Sequence, residues 1–259
     1  ALMVSPMIKL AKGTSLWGRD YLPAGVLVGL LFAAEFFLVA QALRFTSAAH
    51  TVVLLYTAPI FVALGLHWKL PSERLSLIQW LGIACAFFGI VIAFLFRPAA
   101  SQAAASSALW GDALALLAGV LWAATTIAVR LTKLAEAPAT QTLFYQLFIA
   151  FFVLLPVAFF MGQATIHWSV LSLTSLLFHT VVVSFASYLI WFWLLKKYLA
   201  SQLGVFSFLT PIFGMCFGVV LLNEHPELNF LVGTCFVLMV VSLHHKIKQY
   251  VQAFKMALQ

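Results

Sequence analysis

Eight stretches of this chain are long and apolar enough, or nearly so, to cross a lipid bilayer: 22–43, 48–66, 78–96, 110–129, 143–161, 174–195, 203–222 and 228–243. A spanning helix needs about 20 mostly apolar residues. Within hydrocarbon the backbone must satisfy its own N–H and C=O groups, so such runs form helices. That feature restricts the fold to an all-α integral membrane protein whose first partner is the lipid bilayer. Composition agrees, with 64% hydrophobic and 8% charged residues, against roughly 45–50% and about 25% in an ordinary soluble domain. A formal charge of +7 in a soluble protein would point to nucleic acid. Here the basic residues sit in short loops, as topology signals do, and no nucleic-acid partner is expected. Alternating crossings put twelve of the fourteen Lys and Arg residues on one side, leaving only Arg44 and Arg97 on the other. By the positive-inside rule the basic side is the cytoplasm, so both termini are expected there. Cys85, Cys216 and Cys235 lie in apolar runs without a C-x-x-C pair, the pattern of buried free thiols.

The chain contains one segment twice. Thr57-Ala58-Pro59-Ile60-Phe61 returns as Leu209-Thr210-Pro211-Ile212-Phe213, and at the same offset of 152 positions Ala48 falls on Ala200. Each copy has a hinge with basic residues (Arg44; Lys196 and Lys197), an apolar run containing proline, and a short loop containing a glutamate (Glu73; Glu224). An apolar run with an early glycine follows (Gly82; Gly233). Such self-similarity marks two related halves. The Pro59 run is the second crossing and the Pro211 run the seventh, an odd number of steps apart, so the copies cross in opposite directions. Inverted repeats are the build of secondary transporters, which bind substrate near the midplane between the repeats. The expected organisation is a first repeat at 1–96, lacking its first helix and most of its second. An Ala/Ser-rich inter-repeat loop at 97–109, a second repeat at 110–243 and a basic cytoplasmic tail at 244–259 complete it. The stretch 1–10 reads as the end of a helix that starts outside this sequence. Symmetry then predicts an inverted-repeat bundle of ten helices, eight of them full-length here.

These motifs resemble the EamA family of the drug/metabolite transporter superfamily. The residues that carry the resemblance are Ala42-Leu43-Arg44-Phe45-Thr46-Ser47-Ala48, Pro59, Glu73-Arg74-Leu75 and Gly82 in the first half. Trp110-Gly111-Asp112, Trp122, Arg130, Pro211, Glu224 and Gly233 carry it in the second. Glu224-His225-Pro226 departs from the Glu73-Arg74-Leu75 pattern. The resemblance implies ten helices in two inverted five-helix repeats, and export or exchange of small metabolites.

Glu35 is the one Asp, Glu, Lys or Arg deep inside a predicted span. An acid at that depth costs about 2.5–3.5 kcal/mol on insertion scales and faces the bundle interior or water. It reads as a proton-coupling site or a counter-ion for a substrate amine, or else as a protonated group hydrogen-bonded to a neighbouring helix. His179 can titrate near neutral pH, or be a neutral histidine held in the bundle. Thr180, Ser184, Ser187, Tyr188 and Trp191 recur at helical spacing and are expected on one face, lining a cavity or packing on a neighbour. Tyr56, Trp122 with Thr125 and Thr126, and Tyr145 with Gln146 are further candidates for that cavity. Pro59 and Pro211 each remove a helical hydrogen bond and are candidate kinks or gates. Gly25-x-x-x-Gly29 and Gly214-x-x-x-Gly218 permit close helix packing. Asp112 is expected to cap its helix, and His50 to lie at the membrane interface.

Glu35, His50 and His179 have no metal-ligand spacing, and no nucleotide-binding, hydrolase or haem-attachment motif occurs. No metal or cofactor is expected. The expected function is a secondary transporter, working as an exporter, of small organic metabolites such as amino acids or related amines, with protons as a candidate co-substrate. Its expected site is the bacterial inner membrane. Exchange of nucleotide-sugars or sugar phosphates is the nearest alternative, and an intramembrane enzyme using Glu35 and His179 is the alternative from another class.

Overall fold

The computed structural model describes residues 20–46, 48–95, 102–165, 167–207, 209–210, 212–213, 220, 232 and 235. The expectations for 1–10, Pro211, Gly214, Gly218, Cys216, Glu224 and Gly233 fall outside them. The described residues are helical, with no strand among them. The helices are α1 (Leu22–Ala42), α2 (Ala48–Leu55), α3 (Ala58–Lys69), α4 (Leu77–Leu95), α5 (Gln102–Leu131) and α6 (Ala139–Phe160). After them come α7 (Val170–Phe178), α8 (Tyr188–Lys197) and α9 (Ala200–Ser207). Among the described residues, five stretches are long and apolar enough to cross a membrane: Leu22–Ala42, His50–Lys69, Ser107–Leu131, Ala139–Phe160 and Val170–Lys197.

Three elements differ from the sequence expectation. The 48–66 run is two helices, interrupted at Tyr56 and Thr57. Pro59 has no N–H to give the Leu55 carbonyl, so the turn opens just ahead of it, and Thr57 Oγ1 donates to the Leu54 carbonyl at 2.6 Å. Helix α5 starts at Gln102, so the 97–109 segment is helical over its last eight residues. Ala and Gln are strong helix formers, and a segment without an apolar stripe can still extend a helix. Between α7 and α8 the chain forms a π-helix, His179–Ser187, closing i→i+5 turns such as Tyr188 N–H to Val183 C=O. Cys85 and Cys235 are free but exposed, not buried; a thiol is apolar enough to stand on an outward helix face.

The chain divides into two compact units, the first comprising Ala1–Leu38 with Leu121–Leu199 and the second Val39–Val120 with Ala200–Gln259. The boundaries fall inside α1 and α5.

In the first unit α1 lies on α6. A Cβ on Gly25 would come within 2.5 Å of the Tyr145 ring, and one on Gly29 within 2.4 Å of Ile149. Steps of four on both helices mean that α1 and α6 run in the same direction, in the close contact that small residues permit. Further along, Phe32, Ala33 and Ala150 form a core that Tyr188 joins. Cations placed on backbone carbonyls tie the end of α5 and the turn after it to α8. Arg130 Nη1 donates to the Leu195 carbonyl at 2.8 Å, and Lys196 Nζ donates to the carbonyls of Ala135 and Ala137. Helix α7 carries its own capping box, Ser169 with Ser172.

In the second unit the interrupted turn is held from two sides. The Cα of Gly119 sits against the Leu54 and Leu55 carbonyls, where an added Cβ would be 2.9 and 3.0 Å away. Gly204 of α9 packs on Pro59, with 3.1 Å from its would-be Cβ to the proline ring. Val53, Ala63, Ile83, Val205 and Ile212 form the surrounding core. Glu73 follows α3 in a short 3₁₀ turn (Pro71–Glu73) and is fully buried. Its carboxylate accepts from Ala200 N–H at 3.0 Å, Ser201 N–H at 3.3 Å and Ser201 Oγ at 2.8 Å. The residue before α9 is Leu199, which has no oxygen with which to cap the helix; Glu73 satisfies the open N–H groups from 127 positions away.

Candidate functional site

Most of the candidate residues lie in the first unit. Glu35 is two-thirds of the way along α1 and 7% exposed. It follows Phe32 by three residues, which places it next to the Phe32–Ala33–Ala150 core. No hydrogen bond to its carboxyl is found among the described residues. Tyr188 meets Phe32 edge-on, with ring centroids 5.5 Å apart and planes at 87°, so an aromatic wall stands one helical turn from the carboxyl.

The Gly25–Tyr145 and Gly29–Ile149 contacts fix the depth of the other candidates. Tyr145 stands level with Gly25, and Glu35 lies ten residues, about 15 Å, further along α1. Tyr145 and Gln146 therefore lie at a different depth from Glu35. Both are buried, in a run of six consecutive buried residues at 141–146. Gln141 Nε2 donates to the Tyr145 hydroxyl at 3.5 Å. Gln146 Oε1 is buried and has no hydrogen-bond partner among the described residues. Trp122 is half-buried on α5, and its neighbours Thr125 and Thr126 spend their hydroxyls on the Leu121 and Trp122 carbonyls, at 3.0 and 3.3 Å.

The expected polar row is fanned out. A shared face for Thr180, Ser184, Ser187, Tyr188 and Trp191 assumes 3.6 residues per turn, and i→i+5 turns are wider. Ser184, Tyr188 and Trp191 are half-buried, whereas Thr180 and Ser187 are exposed. His179 is exposed, with Nδ1 2.9 Å from the Ser175 carbonyl of its own helix. No described hydrogen bond joins it to Glu35, which is buried. Among the described residues no three His, Cys, Asp or Glu side chains gather as metal ligands.

The second unit holds Tyr56 and Pro59. Tyr56 is half-buried against the Val53–Ala63 core, and its hydroxyl shares a hydrogen bond with the Thr210 side chain. Pro59 is buried under Gly204. Asp112 is not a helix cap, because α5 begins ten residues before it. Its carboxylate accepts from Thr46 Oγ1 at 2.6 Å and lies 3.3 Å from His50 Nδ1 through either oxygen. Gly111 permits this approach, since a Cβ there would be 2.7 Å from the Thr46 amide nitrogen. The Phe45-Thr46 and Gly111-Asp112 motifs are thus one packed junction. Residue types alone did not reveal it, nor the Glu73 cap. The sequence clues were the glycine ahead of Asp112 and the leucine where α9 needed a cap.

Comparison with known proteins gives one consistent result. The model of the EamA-like transporter family matches residues 1–95 and 109–244. The uncharacterized transporter YoaV of Bacillus subtilis (strain 168) is 24% identical over 221 residues, covering 85% of this chain and 74% of that protein. An uncharacterized transporter of Archaeoglobus fulgidus is 27% identical over 221 residues, covering 83% of this chain and 73% of that one. A solved crystal structure with a TM-score of 0.75 covers 93% of this chain and 82% of its own, at 18% identity; a likeness that distant shows the fold alone. With apolar helices long enough to span a bilayer and a family match over most of its length, the chain is an integral membrane protein that belongs to the EamA-like transporter family.

Proposed function

We propose that the protein is a secondary active transporter that exports small organic metabolites, with amino acids or related amines as the substrate class. In this reading the architecture is a ten-helix bundle of two inverted repeats. It works in the bacterial inner membrane by alternating access between those repeats, both termini being cytoplasmic. The observation that carries the reading is Glu35, a mid-span carboxyl that is buried and has no hydrogen-bond donor among the described residues. A buried polar group without a partner is costly, and an intramembrane acid marks an ion or substrate path by default. Two ligands suit it equally well, a proton and a substrate ammonium. Exclusive binding of one or the other couples them: the ammonium enters as the proton leaves, and a proton taken up at the other face releases the substrate. Tyr188, beside Phe32, supplies a ring face to an alkylammonium, a contact strongest where water is excluded. Ser184 and Trp191 border the same helix. Trp122 of the same unit is a further candidate wall, and Pro59 in the second unit a candidate bend.

Sugar phosphates or nucleotide-sugars would need a cation within the membrane, and the cations described on the spans here sit at helix ends, Arg130 and Lys196 on backbone carbonyls. Acid–base catalysis by Glu35 and His179 would require both within reach of one substrate position. One is buried, and the other is exposed and turned onto its own helix.

The test is counterflow in proteoliposomes preloaded with amino acids, amines or nucleotide-sugars, for the wild type and Glu35→Gln. Counterflow of an amino acid or amine is expected, with the variant losing the pH dependence of the flux. Counterflow of nucleotide-sugars alone contradicts the substrate class, and an unaltered pH profile in the variant contradicts the role of Glu35.

A further inference from the structure

We infer that the same unit holds a second substrate station at Gln146, separate from Glu35, which takes an N–H or O–H donor of the substrate rather than its charge. The inference rests on the transport reading above and adds a site to it. Gln146 is 2% exposed, and its Oε1 is buried with no hydrogen-bond partner among the described residues. The donors nearest in sequence are directed elsewhere: Thr142 Oγ1 to the Pro138 carbonyl at 3.5 Å, and Gln141 Nε2 to the Tyr145 hydroxyl. Gln146 lies one turn before Ala150 on α6, on the row that packs against Phe32, Ala33 and Tyr188. It therefore points to the seam that also carries Glu35, rather than to lipid.

The depths differ. Gln146 follows Tyr145, which is level with Gly25, so it stands roughly 13 Å before Glu35 along α1 at about 1.5 Å per residue. An amino acid or small amine cannot touch both at once, so the stations are occupied in sequence. With the orientation proposed above, Gln146 lies toward the cytoplasmic end, where an exporter loads. Selectivity follows from the chemistry. A buried amide acceptor rejects an analogue that lacks the matching donor, because the acceptor is then left unpaired.

An apolar side chain of similar length separates this role from incidental burial. If Gln146 were only a buried amide, Gln146→Met would remove an unpaired polar group, raising the melting temperature and leaving transport unchanged. As a station, Gln146→Met raises KM for the counterflow substrate about tenfold, the loss of one buried hydrogen bond, with the pH profile of the flux as in the wild type. Gln146→Asn keeps an amide one methylene short and is expected to give an intermediate KM, so the test stands even where Gln146→Met fails to fold. Wild-type KM in either folded variant overturns the station while leaving the transport reading intact. A wild-type protein that carries no amine or amino acid overturns the substrate class of the transport reading first.

Discussion

Glu73 and Glu35 are both buried glutamates, one in each compact unit, and they are held in opposite ways. Glu73 accepts three hydrogen bonds at the start of α9, whereas Glu35 accepts none from the described residues. The contrast extends to their surroundings. In the second unit Asp112 meets Thr46 and His50, Thr57 meets the Leu54 carbonyl, and Tyr56 meets Thr210. In the first unit, Glu35 is buried and so is the side-chain oxygen of Gln146, and neither has a donor among the described residues. Of the motifs that carry the family resemblance, Phe45-Thr46, Pro59, Glu73 and Gly111-Asp112 are packing and capping devices of the second unit, while Trp122 and Arg130 lie in the first. The groups proposed to hold a solute, Glu35 and Gln146, are in the first. A satisfied buried charge builds a scaffold, and an unsatisfied one is available to a ligand.

Removing the satisfied carboxylate should have the largest effect. Glu73→Ala exposes two open helix N–H groups and the Ser201 hydroxyl to an apolar surround, and should destabilise the fold by about 3 kcal/mol or more. Thermal unfolding in detergent measures it, and a melting temperature within a degree or two of wild type would break the comparison. Prying open the α1–α6 seam should come next. Gly29→Leu adds a side chain where a Cβ already stands 2.4 Å from Ile149, an overpacking cost of about 1–3 kcal/mol. It should also impair flux by shifting the level of Glu35 against its neighbours; normal flux would show that this register does not matter for transport. The smallest effect is expected at Lys133, whose ion pair with Asp20 is exposed on both sides. Lys133→Ala should leave stability and flux unchanged, and a clear loss would mean that the exposed charges of the first unit do more than mark topology.

The parts of the fold legible from sequence were those written in local hydropathy. The runs at 22–43, 143–161 and 174–195 are spans because each must bury its own backbone in lipid. Pro59 was legible as a candidate kink, whereas the interruption at Tyr56 and Thr57 and its place between Gly119 and Gly204 come only from the structure. The π-helix at His179–Ser187 was not legible, because wider turns leave composition unchanged while rotating Ser187 away from Ser184. Glu35 could be picked out from sequence as the single charge in mid-span. The depth of Tyr145 and Gln146 could not, since it depends on which α6 residues the glycines of α1 admit. Asp112 read as a cap only because the start of α5 was placed eight residues too late.

The most direct measurement compares Glu35→Gln with Glu73→Gln in melting temperature and in pH-dependent counterflow. The account predicts that Glu35→Gln melts at or above the wild-type temperature and loses the pH dependence of flux. Glu73→Gln should melt lower, while its folded fraction keeps the wild-type pH profile. Contradiction would be a Glu35→Gln protein that melts as low as Glu73→Gln and transports with the wild-type pH dependence.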